Sequence, residues 1–316
     1  MASQTPRSPR ESQRGDDERQ KRDSQRSAGD TESESTALVS LDGDRQVAYA
    51  TYGDPDCKPV VFLHGTPGSR RLGAVFDTAA RERSIRVLAP DRPGYGRSTH
   101  WDEYSMRDTG AVVEAVLDDV GVAPAGLVAF SGGAPYALAT TATRPELVTS
   151  VDIVAGATPP ACSDATPATQ RLLGALAANT PRILRGLFRG QAWLADRASP
   201  SFVVSQYTTD TPAEAVSDHV AAVVKDDFVE AIAGGGRGVV SEFRETTSAW
   251  DLSLDDIDRE VRVWHGERDT NVPVDGARRL NAKIPNARMH VFDDADHLQT
   301  LVRSIPAVLD AHERGD

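Results

Sequence analysis

The stretch GLVAFSGGAPYALA, residues 126–139, joins a buried strand, a turn and a helix in one short segment. GLVAF is a continuous apolar run, typical of a strand covered on both faces, and the alanine-rich PYALA favours a helix. Ser131 stands between them, with the small residues Ala129 and Gly133 two positions before and after it. Such a sharp turn holds the hydroxyl clear of the backbone and leaves the next N–H at a helix N-terminus. The stretch therefore predicts a nucleophile at Ser131, although a hydroxyl that only caps the helix fits it too.

Apolar strands and amphipathic helices alternate along the rest of the chain. ALVSL and RQVAYATYG, around the turn DGD, predict a β-hairpin. Further strands are predicted at 59–63, 85–90, 148–156, 261–266 and 288–292, and helices at 71–83, 106–120, 133–143, 275–284 and 298–312. Continuous apolar strands that alternate with helices are typical of a parallel sheet. We therefore expect an α/β fold whose mostly parallel, eight-stranded sheet has helices on both faces.

Three regions differ in composition. Residues 1–36 contain almost nothing apolar and are predicted to be a disordered charged tail. Residues 158–250 contain helical runs but no convincing strand, and they interrupt the alternation. We predict a core of residues 37–157 and 251–316, with residues 158–250 inserted as a helical cap over the carboxyl edge of the sheet. Ligands bind at that edge in α/β proteins.

The composition excludes several classes of protein. The formal net charge is -12 and the pI is near 5.1, which argues against nucleic acid as a partner. Only four basic residues are lysine, which indicates either a high-salt cytoplasm or a GC-rich genome. Cys57 and Cys162 form no CxxC motif, so neither a metal site nor a disulfide framework is expected. No apolar run is long enough to span a membrane, and no leader is recognisable, which predicts a cytoplasmic protein without stable membrane insertion.

A serine nucleophile needs a base, and the base needs an acid that orients it. His297, in FDDADHLQTL, follows the last predicted strand, where a base at the carboxyl edge would project. Asp269, in VWHGERDTNVP, follows the preceding strand and is the preferred acid. The competing carboxylates are Glu267, Asp293, Asp294 and Asp296.

Serine, aspartate and histidine, each placed after its own strand in that order, resemble the α/β-hydrolase superfamily. The resemblance runs from about Ala37 to His312 and is strongest in VVFLHGTPGSRR, VLAPDRPGYGRST, AFSGGAPYALA, VWHGERDTNVP and DDADHL. Two positions depart from the family pattern. Ala129 replaces the first glycine of G-x-S-x-G, and Asp296 stands where relatives more often have glycine before the histidine.

The resemblance implies a serine hydrolase that needs no metal or cofactor. It assigns Ser131 as nucleophile, His297 as base and Asp269 as acid. It implies that the backbone N–H groups of Thr66 and Gly132 form the oxyanion hole, and that Thr66–Pro67 is a cis bond, as in similar proteins.

The expected reaction is hydrolysis of an ester of a small apolar substrate through an acyl-enzyme. A proline-iminopeptidase-like aminopeptidase and a C–C bond hydrolase are alternatives, since the HGTPG loop resembles the HGGPG loop of the former. An acyltransferase would use the same residues, and a non-catalytic ligand-binding protein is the alternative from another class. Neither the substrate nor the oligomeric state follows from the sequence.

The segment PRILRGLFRGQAWLADRA, residues 181–198, predicts a basic amphipathic helix within the insertion. Such a helix can lie on an anionic membrane. Within a cap, its apolar residues Ile183, Leu184, Leu187 and Phe188 are instead expected to line or cover the substrate cleft.

Overall fold

The computed structural model describes residues 36–163, 168–209 and 216–314. The predicted disordered tail lies outside the described residues except for Thr36, which begins the first strand. The strands are β1 (Thr36–Ser40), β2 (Gln46–Gly53), β3 (Lys58–Leu63), β4 (Ile85–Pro90), β5 (Ala125–Phe130), β6 (Val148–Val154), β7 (Glu260–Gly266) and β8 (Ala287–Phe292).

These strands form one eight-stranded sheet in the order β1-β2-β4-β3-β5-β6-β7-β8. The first two strands form an antiparallel hairpin, and β2 pairs antiparallel with β4. From β4 to β8 all neighbours are parallel. The predicted α/β fold with a mostly parallel sheet is confirmed.

Both faces of the sheet are covered, as the apolar runs predict. Val60 and Phe62 of β3 enter one hydrophobic cluster, whereas Val61 and Leu63 enter the other. All six residues of β5 are buried. A strand buried on both faces needs apolar residues at every position, and β5 therefore reads as a continuous run.

The helices of the core lie close to their predicted positions, whereas within the insertion only the helix at 181–198 had a predicted position. The α-helices are α1 (Asp77–Glu82), α2 (Thr109–Asp119), α3 (Ala134–Thr143), α4 (Ala168–Asn179), α5 (Pro181–Arg197), α6 (Pro200–Val204), α7 (Asp218–Ala233), α8 (Arg237–Thr246), α9 (Val274–Lys283) and α10 (His297–Arg314). The predicted helix at 71–83 differs in its first half, where residues Arg70–Phe76 form a 3₁₀-helix before α1. Gly73 lies there against the Tyr52 ring and Ala89, so the sheet holds this turn closely.

Helices α4 to α8 lie between β6 and β7 in the chain, and the described part of that insertion contains no strand. The backbone of α8 comes close to the loop after β4, where the N–H of Gly238 donates to Gly94 O at 3.2 Å. An added Cβ on Gly238 would lie 2.6 Å from the Tyr95 ring, so only glycine permits this approach. No helix in the described ranges is long and apolar enough to cross a membrane.

Candidate active site

Ser131 lies at the carboxyl end of β5, on the turn that leads into α3. Its φ is +50°, a left-handed conformation that is unusual for a residue with a side chain. An added Cβ on Gly133 would lie 2.4 Å from the carbonyl oxygen of Leu63, which explains the small residue two positions after the serine. Ser131 thus has the strand–turn–helix geometry that its sequence predicts.

His297 begins α10 and reaches Ser131 across the edge of the sheet. Its Nε2 is 2.9 Å from Ser131 Oγ, and its Nδ1 is 2.7 Å from Asp269 Oδ2. The imidazole is buried, and the rings of Phe130 and Tyr207 lie beside it, with centroids 5.0 and 6.4 Å from its own. The structure therefore brings the three predicted residues into one continuous line of hydrogen bonds.

Asp269 is held in place by the backbone that follows it. Its Oδ1 accepts the N–H groups of Asn271 and Val272 at 2.9 and 2.8 Å, which leaves Oδ2 for the imidazole. Burial opposes ionisation of Asp269, but His297, His265 and the N–H of Val272 together outweigh it and hold the pKa of the carboxyl below its usual range. Burial also lowers the pKa of His265, whose Nε2 lies 2.8 Å from Val272 O and therefore donates to it. Asp269 is thus an anion whose free oxygen faces His297.

Three of the four competing carboxylates have other partners among the described residues, and the fourth, Asp293, is exposed. Glu267 pairs with Arg278 at the surface, and Asp294 pairs with Arg303. Asp296 accepts the N–H of Gln299 at 2.9 Å and so caps α10. It also accepts hydrogen bonds from the Thr208 hydroxyl and the N–H of Thr209, which fasten the insertion to the loop that carries His297.

The HGTPG loop lies against the turn at Ser131. An added Cβ on Gly132 would be 2.2 Å from Thr66 Oγ1 and 3.1 Å from Thr66 N, so only glycine allows this contact. The Thr66–Pro67 bond is cis, as predicted. His64 is fully buried, and burial holds its pKa well below the usual value. The backbones of Thr66 and Gly132 therefore lie side by side next to the nucleophile.

A buried carboxylate from the insertion holds this loop. Glu242, on α8, accepts hydrogen bonds from the Thr66 hydroxyl at 2.6 Å and the Tyr95 hydroxyl at 2.7 Å. Arg92 donates to the same carboxylate at 2.6 and 2.9 Å, and also to the carbonyl oxygens of His64 and Gly65. Glu242 therefore connects the insertion to the predicted oxyanion loop.

Ser131, Thr66 and Gly132 face a cavity of about 520 Å³. The insertion contributes Leu173, Phe188, Gln191, Gln206, Tyr207, Phe228, Phe243, Thr246 and Thr247 to its lining. No described residue that lines it carries a charged side chain. The cavity therefore suits an uncharged, partly apolar ligand.

A small recess beside this cavity, which Ser131 also lines, contains the carboxyl group of Asp227. Asp227 is buried on α7 and accepts the N–H and hydroxyl of Ser69 at 2.6 and 2.9 Å. Burial raises the pKa of Asp227 to about 8. The group is therefore mostly neutral at pH 7.

Helix α5 meets its predicted role only in part. Leu184 and Phe188 are buried, and Phe188 lines the cavity. The expectation is wrong for Ile183 and Leu187, which are 57% and 58% exposed. Each of these two precedes its buried neighbour by one residue, which turns the pair about 100° around the helix from Leu184 and Phe188 and towards solvent.

Three residues at the site were not predicted from the sequence: Glu242, Tyr207 and Asp227. All three belong to the insertion and reach the site through contacts distant in sequence, for which no motif provides a signal. The described residues contain no group of three or more His, Cys, Asp or Glu side chains arranged to hold a metal ion.

Comparisons with known proteins agree with the fold. The family model for the alpha/beta hydrolase fold matches residues 58–303. The chain is similar to a 2-hydroxy-6-oxononadienedioate/2-hydroxy-6-oxononatrienedioate hydrolase of Cupriavidus pinatubonensis, with 26% identity over 75% of this chain and 80% of that protein. It is 30% identical to a non-heme chloroperoxidase of Kitasatospora aureofaciens, over 80% of this chain and 88% of that protein. Among solved structures, a bromoperoxidase from Bacillus anthracis superposes with a TM-score of 0.68 at 20% identity, over 89% of this chain and 100% of that one.

Proposed function

Because this chain belongs to the alpha/beta hydrolase fold family, we propose that it is a serine hydrolase that cleaves esters of small, uncharged, largely apolar substrates. Ser131 is the nucleophile, His297 the base and Asp269 the acid. Residues 158–250 act as a cap that shapes the substrate site.

The main support for this proposal is the position of the three residues relative to the cavity. The hydrogen-bonded line from Ser131 through His297 to Asp269 opens into a cavity that no charged described side chain lines. A hydroxyl that only capped a helix would need neither an imidazole at 2.9 Å nor a carboxylate behind it. The combination supports an activated nucleophile that acts on a neutral carbonyl group.

In the acylation step, Ser131 Oγ attacks the ester carbonyl carbon while its proton passes to His297 Nε2. Asp269 stabilises the imidazolium that forms and keeps Nδ1 protonated. The N–H groups of Thr66 and Gly132 stabilise the oxyanion, an effect worth roughly 3–4 kcal/mol per donor. The C–O bond then breaks, and His297 gives its proton to the leaving alkoxide.

Deacylation repeats these steps with water. His297 takes a proton from the water, whose oxygen attacks the acyl carbonyl carbon, and the oxyanion forms again between the same N–H groups. When the ester bond to Ser131 breaks, His297 returns the proton to Oγ. The products are a carboxylic acid and an alcohol, and the enzyme is restored.

The lining of the cavity favours a neutral ester over the alternatives. An aminopeptidase binds the cationic amine of its substrate, which an ionised carboxylate would stabilise. The dienedioate substrate for which the Cupriavidus relative is named is a dianion. The described lining contains no ionised side chain for either charge, and the Asp227 carboxyl in the neighbouring recess is mostly neutral at pH 7. An acyltransferase would show the same site, so alcohol acceptors belong in the assay.

The test compares p-nitrophenyl butyrate with p-nitrophenyl hemisuccinate, proline p-nitroanilide and a 2-hydroxy-6-oxodienoate. We expect the highest kcat/KM for the butyrate. A Gln191→Lys variant, which adds a cation to the lining, should raise the relative kcat/KM for the hemisuccinate, whereas Arg288→Lys, at the surface of β8, should not. Preference of the wild type for the anilide or the dienoate would contradict the ester assignment while leaving the nucleophile in place.

A further inference from the structure

The outer surface of the insertion combines exposed apolar side chains with positive charge. Eight large hydrophobic side chains of the described residues are exposed, and six of them lie between residues 172 and 202. They are Leu172, Ile183, Leu187, Trp193, Leu194 and Phe202. A concentration of this kind marks an interaction surface rather than scattered exposure.

Helix α5 carries four of these six side chains. With 3.6 residues per turn, Ile183, Leu187 and Leu194 fall within about 40° of one another on the helix. Gly186 and Gly190 lie on the same side, and nothing lies within 4 Å of where their Cβ atoms would be. The stripe formed by Ile183, Leu187 and Leu194 is therefore unobstructed, and no described element of the protein covers it.

The charge of this region is opposite to that of the chain. Residues 168–209 contain five arginines and a single acidic residue, Asp196, in a protein of formal net charge -12. Arg182 and Arg189 are exposed on the flank of α5, about 120–140° around the helix from the centre of the stripe, and no described carboxylate lies within ion-pair distance of either. Arg197 lies over the Trp193 ring, 4.4 Å from its centroid. The arginines are thus available to an anionic partner.

We propose that this outer face, which consists of the α5 stripe with Arg182 and Arg189, docks the protein on an anionic lipid surface. Apolar side chains that enter the headgroup region next to arginines that meet lipid phosphates are typical of helices that lie in the interface. A second copy of this chain is a poorer occupant, since a two-fold interface through this face would bring the same arginines together. The inner face of α5 lines the cavity through Phe188 and Gln191, so docking holds that cavity one helix away from the lipid.

The experiment measures sedimentation of the protein with vesicles of phosphatidylglycerol and phosphatidylcholine, and with vesicles of phosphatidylcholine alone. We expect binding to the mixed vesicles only, and loss of binding at about 1 M NaCl, where the Debye length is about 3 Å. Each basic residue near an anionic surface contributes about fivefold to the partition coefficient, so Arg182→Gln with Arg189→Gln should lower it about 25-fold. Leu187→Ser with Leu194→Ser should lower it as well.

Three controls make the result specific. Arg288→Gln removes an exposed charge on β8 and should bind as the wild type does. Brominated lipid should quench the fluorescence of Trp193, which is 60% exposed, and the quenching should disappear in Trp193→Phe. Ser131→Ala should bind normally, which separates docking from the proposed chemistry.

Three outcomes would overturn the proposal: equal binding to both kinds of vesicle, no binding to either, or unchanged binding of the arginine and leucine variants. Analytical ultracentrifugation without lipid addresses the competing occupant. Dimers that the leucine substitutions dissociate would assign the face to a second copy of the chain and would contradict lipid docking.

Discussion

The Thr66 hydroxyl donates a hydrogen bond of 2.6 Å to Glu242, which joins the predicted oxyanion loop to helix α8 of the insertion. The two residues are far apart in the chain, and neither strand order nor motif spacing indicates the contact. It makes the insertion a support for the loop beside Ser131 as well as a wall of the cavity.

Replacing Thr66 with valine tests this support. The variant keeps the shape of the side chain but removes the donor, so the loop loses its direct hydrogen bond to Glu242 and keeps only the indirect connection through Arg92. We expect kcat on p-nitrophenyl butyrate to fall about 10- to 100-fold, since small displacements of catalytic groups cost that much. Thr66→Ser keeps the hydroxyl and should retain most of the activity. Equal rates for the valine and serine variants would mean that the hydrogen bond does not position the loop.

Glu242→Gln tests the buried ion pair behind the loop. Arg92 is fully buried, and the substitution removes the charge that compensates its guanidinium. We expect the free energy of unfolding, measured in urea, to fall by about 3–5 kcal/mol. Glu245→Gln is the matched control on the same helix, since Glu245 accepts hydrogen bonds only from the uncharged Met106 N–H and Tyr136 hydroxyl among the described residues. A loss no larger than that of the control would contradict the role given to the Arg92–Glu242 pair.

Asp269→Asn should lower kcat by about 10⁴. The backbone N–H groups of Asn271 and Val272 hold Oδ1, so the amide oxygen takes that place and the NH₂ group faces His297. Nδ1 must then accept, which leaves the proton on Nε2, where the imidazole cannot act as a base. Steady-state kinetics checks this, with Asp294→Asn as an exposed control. Activity near that of the wild type would mean that a residue other than Asp269 is the acid.

Asp227 should make stability depend on pH. Its pKa is about 8 in the folded protein against about 3.9 for an unperturbed aspartate, so the folded state keeps a proton that the unfolded state releases between these values. The contribution of Asp227 to the free energy of unfolding therefore falls as pH rises from about 4 to 8. Asp227→Asn should lessen this fall, so its stability relative to wild type increases with pH. Asp226→Asn, exposed on the same helix, should leave the pH dependence unchanged, and parallel curves for wild type and Asp227→Asn would contradict the raised pKa.

The parts of the fold and site that the sequence predicts correctly are those that depend on residues close together in the chain. The continuous apolar run of β5 and the small residues around Ser131 are required by burial and by a tight turn, and both are visible in the chain. His297 and Asp269 could be named because each follows a strand that ends at the same edge of the sheet.

The insertion could not be predicted in the same way. Glu242 and Asp227 reach the site through packing between helices and the loops of the core, and such contacts carry no period or spacing. The buried face of α5 depends on the helices around it. Leu184 and Phe188 are buried and Ile183 and Leu187 are exposed, although the two pairs are equally apolar.

Labelling with a fluorophosphonate probe shows whether Ser131 is an activated nucleophile, because the probe reacts with activated serines. We expect wild-type protein to be labelled and Ser131→Ala to remain unlabelled. Ser163→Ala, which removes another serine from the cavity lining, should be labelled as the wild type is. Folded wild type that resists the probe, or Ser131→Ala that still reacts, would contradict the assignment of Ser131 as the nucleophile.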